Sequence, residues 1–111
     1  MIARVWHGWT APQDADNYEA HLKPELLPGL SRMQGFAGSY LLRRAAGGEV
    51  EFVTLILWDS LEDVRAVTGP EYETAVIPEE RRPYLKRFDA KAAHYEVVSA
   101  RKPVRPGPGD C

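Results

Sequence analysis

Between Val50 and Trp58 the chain reads VEFVTLILW, in which only Glu51 and Thr54 are polar. A run rich in β-branched and aromatic types that ends on Asp59-Ser60 predicts a strand handing over to a helix. Ser60 and Asp63 form an S-x-x-D capping pattern, and Leu61, Val64 and Val67 recur as the inward face of that helix. Gly69-Pro70 ends it, with glycine at the cap and proline beyond. At the start of the chain IARVWHGW, residues 2 to 9, predicts a first strand. TAPQDAD then offers Thr10, Pro12, Asp14 and Asp16 as helix-start signals. Tyr18, Leu22, Leu26 and Leu30 recur every fourth residue on the predicted helix, and Pro24 and Pro28 predict a kink or restart near Lys23. FAGSYLLRR (36 to 44) reads as a second strand joined to the third by the glycine turn AAGGE (45 to 49). Residues 71 to 87 read as helical turns broken by Pro78 and Pro83, and AKAAHYEVVSA (90 to 100) as the fourth strand. The order is β-α-β-β-α-β, an α+β class with a ferredoxin-like antiparallel sheet.

Alternation carries a second message. One side of the third strand shows Val50, Phe52, Thr54, Ile56 and Trp58, and the other shows Val53, Leu55 and Leu57 after Glu51. The first strand sets Ile2 and Trp6 against Ala3, Val5 and Trp9, and the fourth sets Ala93, Tyr95 and Val97 against Ala92, His94 and Val98. Two helices cover one face of such a sheet, so a monomer predicts a polar second face. Here both faces are apolar. The expectation is a homodimer joined sheet face to sheet face, because an exposed apolar patch of that size is rare on a single chain. The alternative is that residues 70 to 87 and the tail cover it.

Composition narrows the class without choosing a function. The 111 residues suffice for one core, so residues 1 to 100 are read as one domain. The last eleven, RKPVRPGPGDC, hold three prolines and two glycines and are expected to be a disordered tail. Net charge is −2 with a pI near 5.9, which gives no basic face for nucleic acid or an anionic membrane. No apolar run approaches the about 18 residues of a membrane span, and no signal-peptide pattern opens the chain. The single cysteine, Cys111, leaves no disulfide framework. A cytoplasmic enzyme or binding domain is expected.

The histidines at 7, 21 and 94 have no metal-ligand spacing, and no C-x-x-C, nucleophile elbow or phosphate-binding glycine loop occurs. No metal or cofactor is therefore expected. The third strand only faintly echoes an RNA-recognition motif, whose basic glycine-aromatic start is missing. What remains is an aromatic and polar set expected between sheet and helices: Trp6, Tyr40, Trp58 and Tyr72, with Arg44 and His94. Each also has a plainer reading. His94 fits a hydrogen-bonded core residue, Trp6 and Trp58 fit core filling, and Arg43-Arg44 fits a solvated strand end.

MIARVWHGWT at the start, EFVTLILWDSLEDVRAVTG in the middle and HYEVV near the end resemble the antibiotic-biosynthesis-monooxygenase family of dimeric α/β barrels. The most telling piece is the strand ending in Leu-Trp-x-Ser before an acidic short helix. The resemblance implies two ferredoxin-like chains joined through their sheets into an α/β barrel, with Trp58 as a pocket wall. The family includes cofactor-independent oxygenases of polyketide phenols and haem-degrading oxygenases. The haem branch carries an asparagine on the first strand, where Trp6 stands here, and a ligating histidine on the second helix, which DVRAVTGPEYETAV lacks. The resemblance thus implies the cofactor-free branch, with electrons for O2 drawn from a flat phenolic or enolisable substrate. In that branch His94 would be the base. Arg44 or Tyr40 would steady the developing enolate, and Trp6, Trp58 and Tyr72 would bind a flat hydrophobic ring. A different class stays open: a non-catalytic barrel that binds a metabolite or serves assembly, or an isomerase or cyclase using the same space.

Overall fold

The computed structural model describes residues 1–24, 32–75 and 77–101. The chain runs β1 (Ile2–Thr10), a 3-10 turn (Pro12–Asp14), α1 (Ala15–Pro24), β2 (Phe36–Ala46), β3 (Glu49–Trp58), α2 (Leu61–Thr68), a second 3-10 turn (Arg82–Tyr84), β4 (Leu85–Phe88) and β5 (Ala93–Glu96). The sheet order is β2-β3-β1-β4 with β5 also on β1, and every pairing is antiparallel. That is the expected ferredoxin-like α+β sheet. Leu26, Pro28 and Leu30 of the predicted helix, and the tail beyond residue 101, lie outside the described residues.

The best-predicted elements are those whose local chemistry is complete. Gly47 and Gly48 take φ of 57° and 83°, the pair of positive values that a tight two-residue hairpin needs between β2 and β3. Ser60 caps α2, its Oγ accepting from Asp63 N at 3.2 Å and donating to Asp63 Oδ2 at 2.9 Å. Gly69 closes the helix with its N–H on Arg65 O at 2.7 Å. Val64 faces in and is fully buried, whereas Val67, expected on the same face, is 41% exposed. An eight-residue helix buries only one narrow stripe.

Two expectations change. Residues 71 to 87 hold a 3-10 turn and β4 instead of helical turns. LKRF is too short and too basic to announce a strand, and its pairing with Gly8, Trp9 and Thr10 of β1 creates it. The fourth strand is correspondingly shorter, Ala93–Glu96, pairing with Ile2 to Val5. Between the two short strands the chain leaves β1 and bonds to the 73–75 segment, through Ala92 N to Glu73 O at 2.7 Å and Ala75 N to Ala90 O at 3.0 Å. The expected fourth strand is thus reduced to β5, with an unexpected β4 before it on the same strand β1 and the segment after α2 stitched between them.

The core lies at one end of the helix side. Ala15, Tyr18 and Leu22 of α1 pack on Val50 and Phe52, with Leu41, Tyr84 and Leu85 around them. Tyr18 and Phe52 meet edge to face at 4.9 Å and 72°. Burial pushes the Tyr18 phenol up to about 12.

Candidate functional site

Residues opposite one another in an antiparallel pair point to the same side, so the register sorts the sheet into rows. On the helix side Phe36, Trp58 and Ile2 form one row at the α2 end, and Arg43, Phe52 and Gly8 form another beneath α1. Between them lie Ser39–Ile56–Arg4–His94 and Leu41–Thr54–Trp6. Phe52 and Trp58 are 0% and 2% exposed. Every side chain of the two middle rows is only half-buried. A strip of the helix face therefore stays open to solvent between two sealed ends.

The tryptophans are held differently. Trp6 donates from Nε1 to Asp89 O at 2.7 Å, tilts against Phe88 at 6.2 Å and lies over Gly8. A Cβ at Gly8 would stand 2.9 Å from the Trp6 ring, so the glycine gives the indole its bed. Trp58 meets Phe36 edge-on at 6.1 Å, and its buried Nε1 has no acceptor among the described residues. Trp58 is both core and end wall.

The polar corner belongs to Arg4, His94 and Tyr72. Arg4 Nη1 donates to the Tyr72 carbonyl and lies 3.0 Å from His94 Nε2. The Tyr72 ring stands edge-on to His94 at 5.1 Å and carries the Arg65 guanidinium 5.1 Å above it. A guanidinium only donates, so the His94 lone pair must be on Nε2 and its proton on Nδ1. Nδ1 is buried without a partner among the described residues. Burial holds the imidazole below its ordinary range and the Arg4 charge adds to this, while Glu73 opposes it. Burial likewise lowers Arg4.

The structure thus sets His94 against Tyr72, with Trp6 on the neighbouring row and Trp58 at the end of the strip. It separates Tyr40 and Arg44 from them. Tyr40 pairs with Leu55 and Arg44 with Glu51, so both point to the outer face of the sheet. Arg44 forms a salt bridge there to Glu51 at 2.5 Å. Strand parity is the reason: either residue would need an odd shift of β2 against β3 to reach the helix side. Arg4 is the residue that pattern reading passed over. Its signal was present, a lone cation at the same parity as Ile2 and Trp6.

The outer face divides in two. Tyr40, Leu42, Val53, Leu55, Leu57, Val5 and Tyr95 make an apolar half, in which Tyr40, Leu42 and Tyr95 are 60%, 49% and 58% exposed. The other half is ionic. There Arg44 pairs with Glu51, Arg87 with Glu49 at 3.1 Å, and His7 with Asp89 at 3.0 Å. Arg87 also lies 4.0 Å over the Trp9 ring.

No protein-family model and no curated protein matches the chain. Solved structures do. A protein of Bacillus cereus named as an antibiotic biosynthesis monooxygenase superposes with a TM-score of 0.68 over 95% of this chain and 98% of its own, at 16% identity. The haem degrader MhuD of Mycobacterium tuberculosis, with two haems bound in its active site, gives 0.63 over 92% and 100%, at 20% identity. A further structure named as an antibiotic biosynthesis monooxygenase, from Chloroflexus aurantiacus, gives 0.59 over 91% and 96%, at 17% identity. The chain has the ferredoxin-like α+β fold of the antibiotic-biosynthesis-monooxygenase structures.

Proposed function

We propose that the chain is a cofactor-independent monooxygenase that oxidises a flat phenolic or polyketide-type molecule with O2, working as a homodimer joined through its outer sheet faces. The observation that carries this reading is the half-buried strip on the helix side, where Leu41, Ile56 and Trp6 lie beside the polar Arg4–His94 corner. Across four strands it measures about 14 Å and its two rows lie about 7 Å apart along the strands, the footprint of fused aromatic rings lying flat. Thr54, Ile56, Leu41 and Trp6 form its floor, and Trp58 and Phe52 its ends. Such a floor binds a planar ring by apolar contact.

His94 takes the proton. A ring CH2 flanked by enolisable carbonyl and phenol groups loses it to Nε2, from which Arg4 must first turn away, and the resulting carbanion reduces O2. The peroxide that forms on that carbon loses water to leave a carbonyl. The substrate gives up four electrons, one oxygen atom stays in the product and the other leaves as water. Tyr72 acts as a positioning residue, its ring holding the imidazole edge-on.

Haem degradation fits less well. A haem needs an axial ligand, most often imidazole. Residues 61–68 of α2 contain no histidine. His94 Nε2 faces Arg4, His21 Nε2 faces the Tyr84 hydroxyl at 3.3 Å, and His7 is on the outer face. Among the described residues no imidazole is free beside Trp58.

The test is oxygen uptake with anthrone, a flat tricycle with an enolisable CH2. The expected result is one O2 consumed per ring oxidised, above the uncatalysed rate, with 18O from labelled O2 in the new carbonyl. His94→Ala should lower kcat by about 100-fold or more. Tight binding of anthrone with no oxygen uptake would instead favour a non-catalytic binding barrel. Unchanged turnover in the variant would remove His94 from the chemistry.

A further inference from the structure

Among the described residues Arg4 is a half-buried cation that no carboxylate answers. Arg43 pairs with Asp16 and Glu19, Arg44 with Glu51, Arg82 with Glu79 and Arg87 with Glu49. All four are exposed, where an ion pair contributes little. Arg4 is half-buried on the floor of the strip, where an unpaired charge costs more, and no carboxylate pairs with it among the described residues. Its contacts are a backbone carbonyl and a neutral imidazole nitrogen.

We propose that Arg4 and His94 form an anion-binding corner, so that the ligand of this site is an aromatic ring bearing an ionised oxygen, a carboxylate or a phenolate. The inference rests on the aromatic site described under the proposed function and names its substrate class. The donor count carries it. Arg4 offers five N–H groups and uses one nitrogen for both described contacts. The same contact forces the His94 proton onto Nδ1, which is buried without an acceptor among the described residues. Among the described residues these donors and the positive charge meet only the Tyr72 carbonyl and the neutral His94 Nε2, and no anionic acceptor. Arg65 adds a second positive charge over Tyr72, and Glu73 is the acid that His94 senses, itself exposed. The corner is therefore donor-rich and cationic, complementary to an oxyanion and indifferent to a neutral ring. An anionic oxygen that drew the guanidinium to itself would also release the His94 Nε2 lone pair, coupling substrate binding to the availability of the base.

Isothermal titration of the purified full chain with 2-naphthoate and with 2-naphthalenemethanol at pH 7.5 separates the possibilities. The two probes share a ring system and differ in charge. The wild-type chain should bind the naphthoate at least about tenfold more tightly, the scale of a charge-assisted hydrogen bond. Arg4→Gln should bring the naphthoate down to the affinity of the alcohol, Arg4→Lys should keep part of the preference, and Arg65→Gln should reduce it less than Arg4→Gln does. Thermal melts of each variant confirm folding, and the comparison of two probes on the wild-type chain needs no variant at all. Equal affinities in the wild type would overturn the anion corner and leave the aromatic site standing. A preference lost with Arg65→Gln rather than Arg4→Gln would overturn it too. If neither probe binds, the anion corner and the aromatic site both fail.

Discussion

Trp58 shows how one residue serves two ends. Its ring is 2% exposed, so truncation should cost what emptying a core costs, about 3–5 kcal/mol for Trp58→Ala in urea denaturation. Its indole N–H has no acceptor among the described residues, so Trp58→Phe discards a buried unmet donor along with some packing. The two effects oppose each other, and the expected loss is under about 1 kcal/mol. A Trp58→Phe loss as large as that of the alanine variant would show that the N–H has a partner in the folded protein. His94 supplies the pH dependence. Its folded pKa is depressed by burial and by Arg4, so on acidification the unfolded chain takes up the proton first. Stability present above the unfolded value, about 6.5, is lost as pH falls through the folded one. Melting temperatures at pH 7.5 and 5.5 should therefore diverge more in the wild type than in His94→Gln. Equal divergence would assign the acid sensitivity elsewhere. Which residues carry polarity was legible in the sequence, but how they group was not. His94 was visible as a titratable group in an apolar strand, whereas Arg4 acquires meaning only once β5 lays His94 beside it.

At the scale of elements, the joint between β2 and α2 is the most constrained. Gly35 has φ of 83°, its carbonyl accepts from Asp59 N at 2.8 Å, and a Cβ there would fall 2.2 Å from Asp63 Cγ. Asp63 also accepts from the Ser60 cap and has no room to retreat without breaking it. Gly35→Ala should therefore cost more than the about 1–2 kcal/mol of a left-handed non-glycine residue alone. Ser60→Ala should cost about 1 kcal/mol. Chemical denaturation of both variants checks the order, and an equal loss would mean that the Gly35 contact relaxes freely. Elements with their own punctuation, the glycine hairpin and the capped α2, were readable from the chain. β4 was not. Four residues with two cations carry no strand signal, and only hydrogen bonds to β1 hold them extended.

The whole molecule has an outer face that divides into an apolar half and a half laced with ion pairs, the division between core and rim found in stable interfaces. On the proposed reading, native mass spectrometry should give twice the 12.5 kDa chain mass. Leu42→Asp, at a position 49% exposed in the single chain, should give a folded monomer. Because Leu42 and the Trp6 strip lie on opposite faces, ring binding should survive in that monomer unless the partner chain completes the site. A wild-type monomer by mass would sink the face-to-face dimer.

The sequence by itself determined the α+β class, the strand-helix order through α2 and the presence of apolar residues on both sheet faces. These follow from side-chain alternation and from caps that need no distant partner. Only the tertiary structure decided which polar residues meet. Strand register sends Tyr40 and Arg44 outward with Leu55 and Glu51, and it brings Arg4 level with His94 across ninety positions of chain. Register is a property of pairs of strands, set by bulges and turns far from the residues it groups, so no single stretch of chain contains it.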